Sequence, residues 1–537
     1  VKVLAGTEAI SNYNREVGGR SVGFFTNDVN YRFLSNGGVV KEQTNYSLGG
    51  SSTLFSIISR IDYGYKEKYF LTGTFRRDGS SVFGPQNRYG WFPSVSAAWR
   101  ITQEKFLHPL DWLTDLKLRG SWGKTGYYGN TDPLNQYTLF GGSAGNAYYD
   151  IFGTGNNPAP GFRAIRLGDP RTGWQEDIVT NIGFESIFWN GKLSVVADWY
   201  RKKAKGLLFP VTLPDVLGGA TPPNINVGIV QNKGIDVLLG SKGRWARFWS
   251  WDAAVTLTTY NNKILKITDL SFFIPSQNFE GRTVPHEHVR NQVGQPIGSF
   301  YGYKIVGLWN SQKEIDAADN EARQATNNPG AIYQVAAGPG RFRYLDANRD
   351  SLINADDRVF FGDPNPKFTA GINIGLTYKN FDFSTFIYGS FGNDVVNLPK
   401  YWTDLFPTGP PYIIFPAKSK AALYNSWTPQ RTDATVPIIE DQRNFSNVAT
   451  INSYGVEDGS YLRSKSLVLG YTLPRAWLQK IKFEKIRVYV QAVNLITVTK
   501  YTGLDPELSG QSAAFGIDYG HYPNNQKQYL FGVSINF

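Results

Sequence analysis

Residues 367–379 alternate without a break, with Phe368, Ala370, Ile372, Ile374, Leu376 and Tyr378 on one row and small or polar residues on the other. A period of two is the pattern of a β-strand whose two faces meet different surroundings. Asn380 supplies a turn and residues 381–391 answer it, so the stretch reads as a hairpin. The pattern returns at the end of the sequence, where Tyr529, Phe531, Val533, Ile535 and Phe537 alternate with Gln528, Leu530, Gly532, Ser534 and Asn536. In a soluble sheet the apolar row covers a core. In a transmembrane barrel it faces lipid, and the polar row faces the lumen.

Such strands recur. Residues 54–65 and 68–77 flank the polar turn Lys66-Glu67, residues 91–102 and 115–124 follow, and residues 177–189 and 192–202 flank Asn190-Gly191, a strong two-residue turn signal. Residues 226–240 and 248–260 make another pair, and residues 460–474, 485–497 and the final stretch bring the total to about fourteen strands. Residues 1–50 are weakly patterned, and residues 76–81 read as a polar tip. Strands stop over two long insertions, about 261–366 and 392–459, with a short helix expected at 313–324. Loops of that length are unusual unless functional. Short connections on one side and long ones on the other are the asymmetry of an outer-membrane barrel, with periplasmic turns and extracellular loops.

Composition agrees. A chain of 537 residues exceeds one ordinary soluble core, whereas a barrel grows by adding wall strands. Aromatic residues are 15% and glycines number 56, a load that suits aromatic girdles and tight turns. Mean hydropathy is -0.32 and no run of 18 apolar residues occurs, which excludes a transmembrane helix and leaves a barrel open. There is no Cys, so neither a disulfide nor a cysteine zinc site is available. There is no Met, even at position 1, so the chain is expected to be a processed product or part of something longer. The net charge of +11 is dispersed with no run of five basic residues, which argues against nucleic acid as partner. A soluble propeller would also have many short strands but should repeat every 40–50 residues or so, and no such repeat is evident. The expected fold class is therefore all-β, a transmembrane antiparallel β-barrel with long extracellular loops.

Seven phrases carry a resemblance. They begin with Phe75-Arg76-Arg77-Asp78-Gly79-Ser80-Ser81, Trp91-Phe92-Pro93-Ser94-Val95-Ser96 and the stretch from Leu116 through Gly120-Ser121-Trp122-Gly123 to Gly126. Asn226-Val227-Gly228 with Asn232-Lys233-Gly234-Ile235-Asp236, and Gly294-Gln295-Pro296-Ile297-Gly298-Ser299-Phe300-Tyr301-Gly302, continue the series. Tyr461-Leu462-Arg463-Ser464 with Leu469-Gly470-Tyr471-Thr472-Leu473-Pro474, and Asn494-Leu495 with Tyr501-Thr502-Gly503-Leu504-Asp505-Pro506-Glu507, complete it. In this order they resemble the SusC/RagA family of TonB-dependent outer-membrane transporters of Bacteroidetes.

The resemblance implies a barrel of about 22 strands, an amino-terminal plug, coupling to TonB and a SusD-like lipoprotein lid. No plug or TonB box is read here, so residues 1–537 are expected to be the carboxyl-terminal part of such a barrel, with the remaining strands supplied by a missing segment or another chain. The terminal Phe537 matches the aromatic residue that ends bacterial outer-membrane barrels. The expected function is active import of a bulky nutrient, an oligosaccharide or a peptide, across the outer membrane. A siderophore-type or passive barrel, and a glycan hydrolase, are the alternatives.

One local constellation points to a ligand. In residues 346–357, oxygen-bearing side chains at Asp346, Asn348, Asp350, Asn354 and Asp357 stand at positions 1, 3, 5, 9 and 12 of a twelve-residue loop, with the Leu352 carbonyl at position 7. That is the spacing of a Ca²⁺ loop of EF-hand type. Ser351 replaces the usual Gly at position 6, and Asp357 the longer Glu, so a weaker, structural Ca²⁺ site is expected. His286-Glu287-His288 lacks a third ligand nearby and reads as solvated loop. No nucleophile elbow, P-loop or His-Glu-x-x-His is present, so an enzyme is not expected. Tyr127-Tyr128, Tyr148-Tyr149 and Trp402 with Phe406 offer rings for sugar stacking or loop packing.

Overall fold

The computed structural model describes residues 1–107, 109–129, 131–142, 147–151, 153, 159–210, 219–267, 271–279, 282–285, 288–405, 418–440, 443–447, 450–478, 483–508, 510, 513–522 and 525–537. Fourteen long strands make the wall: β1 (Lys2–Arg20), β2 (Thr44–Tyr65), β3 (Tyr69–Ser80), β4 (Tyr89–Arg100), β5 (Leu113–Tyr127), β6 (Gln175–Phe188), β7 (Leu193–Lys205), β8 (Gly228–Ala246), β9 (Trp249–Thr259), β10 (Phe368–Tyr378), β11 (Phe381–Phe391), β12 (Tyr461–Thr472), β13 (Lys485–Val493) and β14 (Gln528–Asn536). They hydrogen-bond in chain order into one antiparallel sheet, and the segments Asn261–Ile267 on β8 and Thr497–Thr499 on β12 bring it to 16 strands. Connections alternate between short and long along most of this order, as the spacing of the turn signals predicts, although β3–β4 (81–88) is shorter than β4–β5 (101–112). Lys66 and Glu67 take φ of 50° and 56°, the left-handed pair that closes a tight hairpin.

The chain divides into two compact units. The first comprises Val1–Trp99, Gly120–Thr180 and Lys203–Ile229. In it, β4 shows why the alternation matters: Tyr89, Trp91, Val95 and Trp99 are exposed on one face. On the other, Phe92 is buried and packs edge-on against Trp174, which also meets Phe83 and Tyr128 with ring centroids 5.2–5.4 Å apart. Eight residues separate Trp91 from Trp99, about 26 Å along a strand, close to the height of a barrel's apolar band. The polar face carries ion pairs, Arg76 with Asp78 at 2.7 Å and Arg60 with Asp62 at 2.9 Å.

The second unit comprises Arg100–Arg119, Asn181–Lys202 and Val230–Phe537. Its polar face continues the pattern, with Arg119 between Glu185 (2.7 Å) and Asp198 (2.6 Å), and Arg487 on Asp382 (2.5 Å). Rings cluster at the short-turn ends of its strands: Trp112 on Phe188, Trp249 on Tyr378 and Phe381 on Tyr471, at 4.4–5.7 Å. That is the placement of an interfacial aromatic girdle. Gly234 holds a crossing on the polar face. A Cβ there would meet the Thr259 carbonyl oxygen at 2.0 Å and the Tyr200 hydroxyl at 2.7 Å; without one, Tyr200 passes over β8 and donates to the Thr259 carbonyl of β9 at 2.9 Å.

On β14 the predicted outer row Tyr529, Phe531, Val533, Ile535 and Phe537 is exposed throughout. Three expectations need correction. Residues 1–50, weakly patterned and given no strand, hold one, because β1 pairs with β2 over its whole length, from Lys2 opposite Asp62 to Arg20 opposite Thr44. Its side chains are exposed and largely small or polar on both rows, so it has no alternation to read, and the ladder alone defines it. Residues 76–80 are strand rather than tip, since β3 pairs with β2 up to Ser80 opposite Leu54. Finally, strand structure continues past Asn261 in the segment Asn261–Ile267.

Candidate functional site

The long connections 260–367 and 392–460 fold together. The first contributes Tyr303, Phe342, Tyr344 and Ile353, and the second Tyr401 and Leu405, to one buried cluster against which Phe445 and Tyr454 pack. Helix α1 (Gln312–Thr326), expected at 313–324, lays Ile315 and Ala318 over Trp309. Ser311 caps its start by accepting from the Glu314 N–H, and Asn327 ends it in the left-handed region. Polar groups cross-link the insertions: the Gln334 amide donates to the Phe342 carbonyl (2.6 Å) and to Ser446 Oγ (2.7 Å), and Arg341 grips Glu440 at 2.7–3.0 Å. Tyr344 donates to the Phe445 carbonyl, Tyr401 to the Asn452 carbonyl and Tyr454 to buried Asp404, at 2.8–2.9 Å. Burial pushes all three hydroxyls upward, and Asp404 pushes Tyr454 further, so each stays a neutral donor.

The 346–357 loop is tightly wound in this lobe. Asp346 accepts from the N–H groups of Arg349 (2.6 Å) and Ser351 (2.9 Å), Asn348 from Asp350 (3.0 Å), and Asp350 from Leu352 (2.9 Å). Asp357 is fully buried and accepts from the Ala347 and Asn354 N–H groups, both at 2.8 Å, tying position 12 to positions 2 and 9. Ser351 takes φ of 66°, the left-handed conformation that explains why such loops favour glycine there. No cluster of three or more His, Cys, Asp or Glu side chains arranged to hold a metal occurs among the described residues. A cation here would therefore draw on Asn348, Asn354 and the Leu352 carbonyl as well as on carboxylates.

A second constellation has no local signature in the sequence. Arg463 on β12 is buried and binds Asp505 at 2.5 Å and Glu507 at 2.7 Å; Lys465 reaches Glu507 at 2.5 Å. Arg463, Asp505 and Glu507 stand in two of the phrases that carry the family resemblance, yet only the fold shows that β12 and the β13–β14 connection share them. Asp505 and Glu507 also line a cavity of about 480 Å³ with Asp518, Tyr519, His521 and Tyr522. Asp518 accepts from the buried Tyr501 hydroxyl at 2.6 Å, and the Tyr519 and His521 rings lie 6.0 Å apart. Carboxylates beside ring faces suit polyhydroxylated or cationic groups.

Of the other sequence candidates, Tyr128 packs on Trp174, whereas Tyr149 is largely exposed. His288 meets Tyr401 edge-on at 6.2 Å, while His286, Glu287 and Phe406 lie outside the described residues, as does the Trp402 side chain.

Comparison with known proteins agrees with this architecture. Residues 4–495 match the family described as TonB dependent receptor-like, beta-barrel. The chain is 31% identical to TonB-dependent receptor P3 of Formosa agariphila, over 99% of this chain and 50% of that protein. It is 26% identical to TonB-dependent receptor SusC of Bacteroides thetaiotaomicron, over 93% of this chain and 45% of that protein. The solved RagAB peptide transporter superposes with a TM-score of 0.79 at 24% identity, over 100% of this chain and 53% of that chain. The chain thus spans about half the length of the relatives it matches.

Proposed function

Given that the chain belongs to the TonB-dependent receptor-like β-barrel family of the bacterial outer membrane, with relatives of the SusC/RagA type, we propose that it forms the wall and loop lobe of an active importer for a bulky nutrient, an oligosaccharide or a peptide. The partners in this reading are a SusD-like lipoprotein lid over the long loops, and TonB acting through a plug. The observation that carries it is the cavity by the β13–β14 connection, where Asp505, Glu507 and Asp518 stand beside Tyr519, His521 and Tyr522. Such a lining recognises hydroxyl-rich or cationic ligands and does not single out metal chelates, which favours nutrient import over the siderophore-type alternative. The RagAB relatives, described as a peptide transporter, support the peptide arm of the proposal.

The 346–357 loop is proposed to hold one structural Ca²⁺ through Asp346, Asn348, Asp350, Asn354, Asp357 and the Leu352 carbonyl, stiffening the lobe. Purification of the full-length protein from outer membranes, followed by uptake of labelled oligosaccharides and peptides, tests the transport reading. Energy-dependent uptake with a co-purifying lipoprotein is expected. Uptake that survives collapse of the proton-motive force would replace it with a passive pore.

A further inference from the structure

At the long-connection end of β7 and β8, the face that carries the exposed apolar rows turns basic. On that face Trp199 and Ile235 are exposed apolar residues, at 40% and 47%. One alternation further toward the long connections stand Arg201 on β7 and Lys233 on β8, both exposed. Tyr200 and Gly234 meet on the opposite, polar face, which fixes Arg201 and Lys233 on the apolar one. Lys263 joins them: Asn262 donates to Asn232 at 2.7 Å on the polar face, so its exposed neighbour in the Asn261–Ile267 segment points the other way. Arg201 reaches Gln231 at 2.7 Å, and none of the three cations pairs with a carboxylate among the described residues. Positions 231, 235, 237, 257, 259, 261 and 265, which share this face, contain no Asp or Glu. Arg119 and Arg487, by contrast, stand on the polar interior rows and are paired with carboxylates.

We propose that Arg201, Lys233 and Lys263 form a binding patch for the phosphate groups of a phosphorylated lipid in the membrane leaflet on the long-connection side. Continuity and charge both favour this occupant. The apolar row directly below the three cations is the surface that acyl chains cover, so the first polar group met above it belongs to a lipid headgroup. Three unpaired cations there match two or three phosphate oxygens, and Gln231 holds the Arg201 guanidinium in place. The proposal rests on the outer-membrane placement of the wall and is independent of what is transported.

The test uses the full-length protein and the variant R201Q/K233Q/K263Q in phosphatidylcholine nanodiscs with or without a few mole per cent of bis-phosphorylated lipid A. Lipid retained through detergent exchange is quantified by mass spectrometry. Each basic residue near a charged surface contributes about fivefold, so retention is expected to fall roughly a hundredfold in the triple variant. Equal retention by the two proteins overturns the proposal, and displacement of the lipid by millimolar inorganic phosphate overturns its assignment to a lipid. Heat-modifiable gel migration of both proteins verifies folded barrels, and lipid retention without nutrient uptake would refute only the transport reading.

Discussion

Arg463 and Asp505 meet at 2.5 Å with side chains only 3% and 8% exposed, so β12 and the β13–β14 connection are joined by a charge pair removed from water. Glu507 shares the guanidinium and Lys465 shares Glu507. Arg463→Met leaves the buried carboxylate uncompensated, an effect of about 3–5 kcal/mol for such a pair. The variant is expected to keep its barrel but lose order in residues 504–508 and 513–522, seen as proteolytic cleavage confined to the β13–β14 connection. Unchanged protection there would show that the cluster does not organise the cavity.

Calcium should stabilise the loop lobe and leave the wall alone. At a concentration about 100 times its dissociation constant, the ion would add about 2.7 kcal/mol to the lobe. Chelation should therefore raise hydrogen exchange over residues 342–360, and a D346N/D350N variant should exchange at the chelated rate with or without calcium. A wild-type rate indifferent to calcium would reduce the loop to a network of turns.

Burial raises the Asp394 carboxyl above the usual carboxylate range; the nearby Asp363 and Asp458 charges add to this, and the Asp363 N–H bond opposes it. A raised folded value means that the folded lobe holds this proton more tightly than the unfolded chain does. Its contribution is complete below the unfolded carboxylate value and is lost as pH rises through the folded one. Because the group is partly solvated, the effect is within about 1 kcal/mol. The lobe should thus become more resistant to denaturant as pH falls toward the raised value, and Asp394→Asn, which keeps an oxygen for the Asp363 N–H, should flatten that dependence.

Gly234→Ala drives a methyl group onto the Thr259 backbone carbonyl oxygen, 2.0 Å from the Cβ position, and against the Tyr200 hydroxyl at 2.7 Å, displacing the Tyr200–Thr259 bond. Because the β9 backbone itself must shift, overpacking together with the lost bond should cost about 3 kcal/mol or more. The gel temperature at which the heat-modifiable band converts should fall, and pairing the change with Tyr200→Phe should recover little.

Tyr522 is 78% exposed at the cavity rim, so Tyr522→Ala should not alter stability. Loss of one ring platform should weaken binding of the transported ligand about five- to tenfold by calorimetry. An unaltered affinity would move the ligand site away from this cavity.

The wall was legible because lipid and lumen impose opposite demands on alternate residues, and β10 and β14 obey them nearly position by position. β1 escaped because small and polar residues interrupt both of its rows and Leu4 and Ile10 fall on the row that also carries Glu8 and Glu16, which blurs the period. Turn chemistry located the Asn190-Gly191 hairpin, where Asn190 takes φ of 55°. The 346–357 loop was visible because its partners lie within twelve residues of one another. The Arg463 cluster was not, because its acids arrive from 42 and 44 residues away and nothing local announces the meeting.

The shared core of the two insertions sets an order of events. Gln334 bonds to Ser446 across 112 residues, and Phe342 and Tyr344 share a core with Tyr401, Leu405, Phe445 and Tyr454, which the chain delivers only after β10 and β11. Closing a loop of that span costs conformational entropy that the hairpin, once formed, has already met in part. The first insertion therefore cannot complete the core around Phe342 and Tyr344 until the second stands beside it. The span between the two is a clock for assembly: lengthening the β10–β11 turn should delay the lobe without weakening it.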